Sequence, residues 1–462
     1  MKVLLVSYDN DSYIHTFPLG IAYIAAVLRD CKFDVEIWHQ DVHHYSDEAL
    51  KIKLDKEKYD FIGIGMVAGY YQYKKLLSLS KAINSSNNRP IYLLGGHGPT
   101  ANPEYFLKKT YADVVVMGES ETSIVDLVRS VAEKKSYKDV SGIAYRNNDE
   151  VIINKPRDLI KDIDSIPFPA YDLFPMNYYR LRRRPHSSDS DFCASILSGR
   201  GCPYKCTFCY RMDKGFRPRS TDSIIEEIKL LKKDYGITYI EFADELLMSS
   251  VERTENVCTE IIKANLNIKW SCSGRLNYAK KDLLMLMKKA GCVFINYGIE
   301  ALDDQVLKKM NKVLTVKQII AGIEATLMAG ISPGYNVIWG NLGDNIETLN
   351  KGVDFLIKYD DCAQLRTIRP VTPYPGSPLF DTAVNKGLLK NIDDFYEKKH
   401  LNSDLLTVNF TELSDDDFHM ALCDANKKLL NNYYNKKKKS MIKKTEDLYI
   451  KKNVEFRGYR HT

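Results

Sequence analysis

Apolar residues recur along this chain in two rhythms, short continuous runs and longer stretches with helical spacing, and the two alternate from the first residues onward. Lys2 to Ser7 is an apolar run, and Pro18-Leu19-Gly20 then opens a helical pattern through Leu28. Further runs lie at Phe33 to Trp38, Tyr59 to Met66, Pro90 to Gly95 and Asp113 to Met117, with helical patterns near 46–57, 70–85, 103–110 and 120–133. Strands alternating with helices predict a parallel, doubly wound sheet over residues 1–150, covered on both faces. Ligands of such sheets bind outside the carboxyl ends of the strands. Those ends carry Tyr8-Asp9-Asn10, the stretch Gly63-Ile64-Gly65-Met66-Val67-Ala68-Gly69 and Gly95-Gly96-His97-Gly98-Pro99-Thr100, where small residues let a flat, bulky ligand approach the backbone. A nicotinamide dinucleotide fits this pattern poorly, because the third glycine of 63–69 comes one residue late and no clear acidic ribose partner follows the next strand.

Residues 151–192 change character. Ile166-Pro167-Phe168-Pro169-Ala170, Phe174-Pro175 and the basic run Arg180 to Arg184 predict an interdomain connection on the surface, its arginines either solvated or facing an anionic ligand. From 193 to 380 the alternation resumes with a longer period. Strands are expected near 194–198, 237–242, 268–273, 293–299, 334–339 and 364–369, with helices between them, which is a partial barrel of six units rather than eight. Beyond 380 the chain is polar and lysine-rich, with an amphipathic helix near 415–434 followed by Lys436 to Lys439, either a solvated helix end or an RNA contact.

Candidate chemistry sits at the end of the first barrel strand, where Cys202, Cys206 and Cys209 fall within Gly201-Cys202-Pro203-Tyr204-Lys205-Cys206-Thr207-Phe208-Cys209-Tyr210. Three soft thiolates this close converge on one object, zinc or an iron-sulfur cluster, and a closed zinc site wants four ligands. Cys193 is a poor fourth, since at about 3.3 Å per residue it lies roughly 17 Å down the strand. A cubane cluster normally takes four cysteines, so three leave one iron open to a small molecule. The other strand ends add Asp244 and Glu245, Ser273 and Arg275, Asn296 and Glu300, then Asn336 and Gly340, polar groups that converge on one mouth.

Composition narrows the partners. The chain has 462 residues, enough for two domains and an appendage, and a formal charge of only +6, so nothing global demands nucleic acid. Ten cysteines without regular pairing, no charged-then-apolar leader and no apolar run near about 20 residues predict a cytoplasmic protein with no membrane partner.

The cysteine spacing with Phe208 and Tyr210 beside the last thiol resembles the radical S-adenosylmethionine enzymes. With a doubly wound domain ahead of it, and with Pro18-Leu19-Gly20-Ile21-Ala22-Tyr23, Gly95 to Thr100 and Met117-Gly118-Glu119-Ser120-Glu121, residues 1–380 are similar to the cobalamin-dependent branch of that superfamily. The resemblance implies a Rossmann-like cobalamin-binding domain and a 4Fe-4S cluster on Cys202, Cys206 and Cys209. Tyr8, Gly65, Met66, Val67, Gly95, Gly96 and His97 become corrin contacts. Tyr210, Asp244, Glu245, Ser273, Arg275, Glu300 and Asn336 become S-adenosylmethionine contacts, with Asp244 or Glu245 at its ammonium, Arg275 at its carboxylate and Glu300 at its ribose. The Asp-x-His-x-x-Gly element that ligates cobalt in many cobalamin proteins is absent: His15 occupies that loop with Tyr13 before it and Pro18 after it. Reductive cleavage to a 5'-deoxyadenosyl radical is implied, with C-methylation of a small molecule or peptide, or radical oxidation, cyclisation or rearrangement, as outcomes, and an external electron donor such as flavodoxin or ferredoxin. An RNA methylthiolase would place three more cysteines in the leading domain, where only Cys31 is found; an iron-sulfur carrier or cobalamin sensor would need no open iron.

Overall fold

The structure, a computed structural model, describes residues 1–9, 16–148, 150–212 and 215–455. The leading sheet consists of β1 (Lys2–Ser7), β2 (Asp34–His39), β3 (Phe61–Gly65), β4 (Ile91–Gly95), β5 (Val114–Val116), β6 (Ile143–Asn147) and β7 (Glu150–Ile153), in the spatial order β2-β1-β3-β4-β5-β6-β7. Strands β1 to β5 run parallel, while β6 and β7 add an antiparallel edge that the apolar pattern did not announce. The edge strand β7 crosses residue 150, where the leading domain was expected to stop.

Alternation explains why both faces of β1 are dry. Val3 and Leu5 pack with the helices Leu19–Asp30 and Ser120–Ala132, whereas Leu4 and Val6 pack with Asp47–Lys56, Tyr70–Asn84 and Pro103–Thr110. The chain leaves β1 to one side for β2 and returns to its other side for β3, so the topological switch point falls between β1 and β3.

The second sheet begins with β8 (Cys193–Ile196). A small ribbon, β9 (Gly199–Arg200) with β10 (Arg217–Pro218), precedes β11 (Tyr239–Phe242), β12 (Lys269–Gly274), β13 (Cys292–Glu300), β14 (Ser332–Trp339) and β15 (Arg369–Pro370). Its order β15-β14-β13-β12-β11-β8 is wholly parallel and open, a half-barrel. The sixth strand, expected over 364–369, is two residues long. Arg366 binds Asp361 at 2.9 Å and the Pro333 carbonyl at 2.8 Å, which holds the preceding residues in a loop.

The proline-rich connection is packed between the two sheets. Phe17 of the leading domain meets Tyr171, Phe174 and Tyr179 with ring centroids 5.2, 5.1 and 5.4 Å away, and Tyr171 donates to the buried Glu227 at 2.7 Å. Most of the basic run is also absorbed by protein: Arg180 lies over Phe192, Arg182 over Tyr178 and Arg184 pairs with Glu241, while Arg183 stays exposed beside Asp189. The tail splits its loyalties. Leu379, Phe380, Phe395 and Tyr396 join the core of the leading domain, and the helix Asp415–Tyr449 packs on the half-barrel, with Phe418 stacked on Trp339 at 4.2 Å. Lys437, Lys438 and Lys439 are exposed on that helix. Among the described residues no helix is long and apolar enough to cross a membrane.

Candidate active site

The thiol loop follows β8 and is held by its backbone. Thr207 N–H donates to the Met310 carbonyl at 3.0 Å, Asn311 Nδ2 to the Lys205 carbonyl at 2.7 Å, and Leu379 N–H to the Thr207 carbonyl at 2.9 Å. Cys206 is buried, Cys202 half-buried and Cys209 exposed into a cavity. Burial, then the charge of Cys206, pushes the Cys209 thiol up to about 12, and burial likewise raises Cys202, with Glu245 and Cys206 adding to it. The protein itself therefore does not favour thiolates at Cys202 and Cys209; bound metal would have to draw the protons off. Among the described residues no three His, Cys, Asp or Glu side chains are grouped to hold a single metal ion. Three thiols on one backbone-held loop suit a broader object, a cubane, and Cys193 stays buried at the far end of β8. The donor set fits a cluster with one open iron.

At the switch point a crevice of about 580 Å³ opens. All seven residues expected there line it: Tyr8 beyond β1, Gly65, Met66 and Val67 beyond β3, and Gly95, Gly96 and His97 beyond β4. Gly96 has φ +92°, and a Cβ on it would stand 2.4 Å from the Met66 carbonyl oxygen, whereas one on Gly65 would project into open space. Bare backbone is what a broad, flat ring needs beneath it, so the residues present fit a corrin. Burial lowers the His97 pKa, which keeps the imidazole neutral. His15 lies outside the described residues. Replacing Gly96 by alanine is expected to cost about 1–3 kcal/mol in backbone strain alone and to weaken hydroxocobalamin binding roughly tenfold or more, read by absorbance titration.

A second cavity, of about 380 Å³, is bounded by Cys209, Tyr210 and Glu300 from the half-barrel and by Val67 and His97 from the leading domain. Val67 and His97 line both spaces, so they are the partition between the corrin crevice and the thiol loop. His97 meets Tyr210 edge-on at 6.2 Å, and Gly376, in the turn of Tyr374-Pro375-Gly376, is so close to Tyr210 that a Cβ there would stand 2.7 Å from its ring.

The remaining predicted residues divide. Glu300 ends β13 at a register shift, with φ +68°, and pairs with Lys312 at 2.8 Å; both side chains are buried. A β-bulge at a strand end re-aims a side chain, here into the second cavity. Asn336 is exposed on the concave face and donates to Asn296 at 3.0 Å, with Ser273 on the neighbouring strand. Asp244 and Glu245 both line the corrin crevice. Asp244 is buried and accepts from Ser198 N–H at 2.6 Å and from the Ser198 hydroxyl, while Glu245 is exposed. Arg275 lines neither cavity. It lies 3.4 Å over the Tyr204 ring and donates to the carbonyls of Lys312 and Val313, so its guanidinium is engaged by protein.

Residues 5–128 match the B12 binding domain family and residues 196–356 the Radical SAM superfamily. The uncharacterized methyltransferase PH0819 of Pyrococcus horikoshii is 30% identical over 429 residues, covering 88% of this chain and 90% of that protein. The chain belongs to the B12-binding radical S-adenosylmethionine enzymes. Its cofactors are a 4Fe-4S cluster, S-adenosylmethionine and cobalamin. The anaerobic magnesium-protoporphyrin IX monomethyl ester cyclase of Rubrivivax gelatinosus is 26% identical over 80% of the chain, which spans 66% of that relative. The radical S-adenosylmethionine methyltransferase TsrM from Kitasatospora setae, solved with cobalamin and a 4Fe-4S cluster, shares the fold, with a TM-score of 0.69 at 17% identity over 83% of this chain and 75% of that one.

Sequence reasoning missed the clamp between the enzyme's two domains. Arg217 on β10 binds Glu119 at 2.7 Å, and Arg200 on β9 binds Glu119 at 3.1 Å and Glu121 at 2.5 Å. Burial would raise the Glu119 carboxyl, but Arg217 and Arg200 beside it hold it below the usual range. The signal was present, two acids at a helix start and two arginines flanking the cysteine loop, yet nothing local pairs residues so far apart in the chain.

Proposed function

We propose that this enzyme methylates an unactivated carbon of a small-molecule or peptide substrate. The observation that carries the reading is the pair of adjoining cavities that share Val67 and His97 in their linings, one fitting a corrin and the other abutting the thiol loop. Bound there, the cluster would supply the electron that cleaves S-adenosylmethionine to a 5'-deoxyadenosyl radical, and cobalamin the methyl group. The chain's own part is to orient and to exclude water. Glu300 would accept from ribose hydroxyls and the exposed Glu245 would face the ammonium, while Ser273 and Asn336 present polar atoms on the concave face. Tyr374 and Tyr396 line the second cavity and give it an aromatic wall beside the thiol loop. Methyltransferase names among its relatives support this outcome. All ten cysteines are free, which suits a reducing cytoplasm with a flavodoxin or ferredoxin as donor.

Similarity to the anaerobic cyclase favours a second reading, radical oxidation or cyclisation with the same cofactors. One experiment separates them. The anaerobically reconstituted enzyme is given hydroxocobalamin, a low-potential reductant and S-adenosylmethionine with a deuterated methyl group. Formation of 5'-deoxyadenosine together with labelled methylcobalamin is expected. 5'-Deoxyadenosine without label on the corrinoid would transfer the assignment to the second reading, and intact S-adenosylmethionine under verified reduction would sink both.

A further inference from the structure

Lys312 was not singled out by any motif, yet it occupies a built position. Its Nζ lies 2.8 Å from Glu300 Oε1 and 5.7 Å from the centre of the Phe208 ring, between Cys206 and Cys209 in the chain. Lys312 and Glu300 side chains are 8% and 9% exposed. A Cβ on Gly298 would stand 2.5 Å from Glu300 Oε1 and 2.8 Å from Lys312 Nζ, so that position must stay bare for the pair to form. The backbone next to Lys312 is tied to the thiol loop through Met310 and Asn311 and to Arg275 through the Lys312 and Val313 carbonyls. Glu300 lines the same cavity as Cys209.

We infer that Lys312 is a positioning residue that balances the Glu300 carboxylate beside the cluster and thereby sets the cluster's reduction potential. Reduction adds one electron from an external donor, with no bond made or broken and no proton required. A neighbouring carboxylate opposes that added charge and an ammonium favours it, and both act strongly where water is excluded. Local charge is among the levers that set iron-sulfur potentials. Paired, the two fields largely cancel; either one alone is felt by the cluster. The inference rests on the cluster assignment above.

The test is an anaerobic dithionite titration of the reconstituted enzyme without S-adenosylmethionine, followed by electron paramagnetic resonance. Glu300→Gln leaves the ammonium uncompensated, and the midpoint should move to more positive potential. Adding Lys312→Met should bring it back toward wild type, while Lys312→Arg alone should stay close to wild type because the charge is kept. Lys312→Gln, expected to move the midpoint the opposite way, serves if Glu300→Gln takes up no iron. An unmoved midpoint in Glu300→Gln, or a shift that Lys312→Met does not reverse, overturns the inference. Iron and sulfide content, measured first, identifies failure of the cluster assignment itself: wild type without a cubane would show it before any potential is read.

Discussion

Replacing Cys202, Cys206 or Cys209 by alanine is expected to remove the cluster and S-adenosylmethionine cleavage together, a loss larger than the roughly 10–100-fold that changes around a metal's ligands usually cost. The loop itself should survive, because Thr207, Lys205 and the Leu379 amide hold it through backbone hydrogen bonds that no thiol makes. Thermal unfolding of the iron-free variants should therefore stay within about 1 kcal/mol of the iron-free wild type. Cys193→Ala is the control. Its sulfur is buried at the opposite end of β8, and the variant should keep full iron content and activity. Iron retained in all three loop variants, or lost in Cys193→Ala, would contradict the ligand assignment.

Arg217→Ala should be the most damaging change outside the cofactor sites. The side chain of Glu119 is 4% exposed and would keep Arg200 and the Ile160 N–H, so the loss should lie toward the lower end of the about 3–5 kcal/mol that breaking a buried ion pair costs. Its pH dependence has a defined sign. In wild type the Glu119 pKa is held down, so the clamp's contribution is complete above the unfolded glutamate pKa of about 4.3 and is lost as pH falls through the lower folded value. In the variant one of the two guanidinium groups that oppose burial is gone and the carboxyl rises, so the deficit relative to wild type should be largest at neutral pH and shrink on acidification. Chemical denaturation of both proteins at neutral and mildly acid pH measures this. A deficit that grows in acid would show that Arg217 acts by packing rather than by charge. Because the clamp joins the N-terminal side of helix Ser120–Ala132 to the ribbon leading into and out of the thiol loop, the same variant should also loosen hydroxocobalamin binding.

Much of this architecture was legible because it repeats locally. Apolar runs and helical spacings recur within windows of ten to fifteen residues, and they placed strands β1 to β5 and the first five long strands of the half-barrel within a few residues of where they lie. The hairpin β6–β7 escaped because Tyr145-Arg146-Asn147 and Glu150-Val151 mix polar and apolar residues as a sheet edge does. The charge and strand-end position of Arg275 are visible in the chain. The carbonyls of Lys312 and Val313 that accept from its Nη2 are not.

The sequence by itself determined the number of thiols, their spacing and the small residues at the strand ends, since these are properties of neighbours along the chain. Only the tertiary structure decided that Val67 and His97 divide two cavities, that Lys312 reaches Glu300, and that Arg217 and Arg200 close on Glu119. The physical reason is range. Local spacing selects secondary structure, but which charges are desolvated together depends on how separate elements pack, and desolvation is what turns a nearby charge into a strong one.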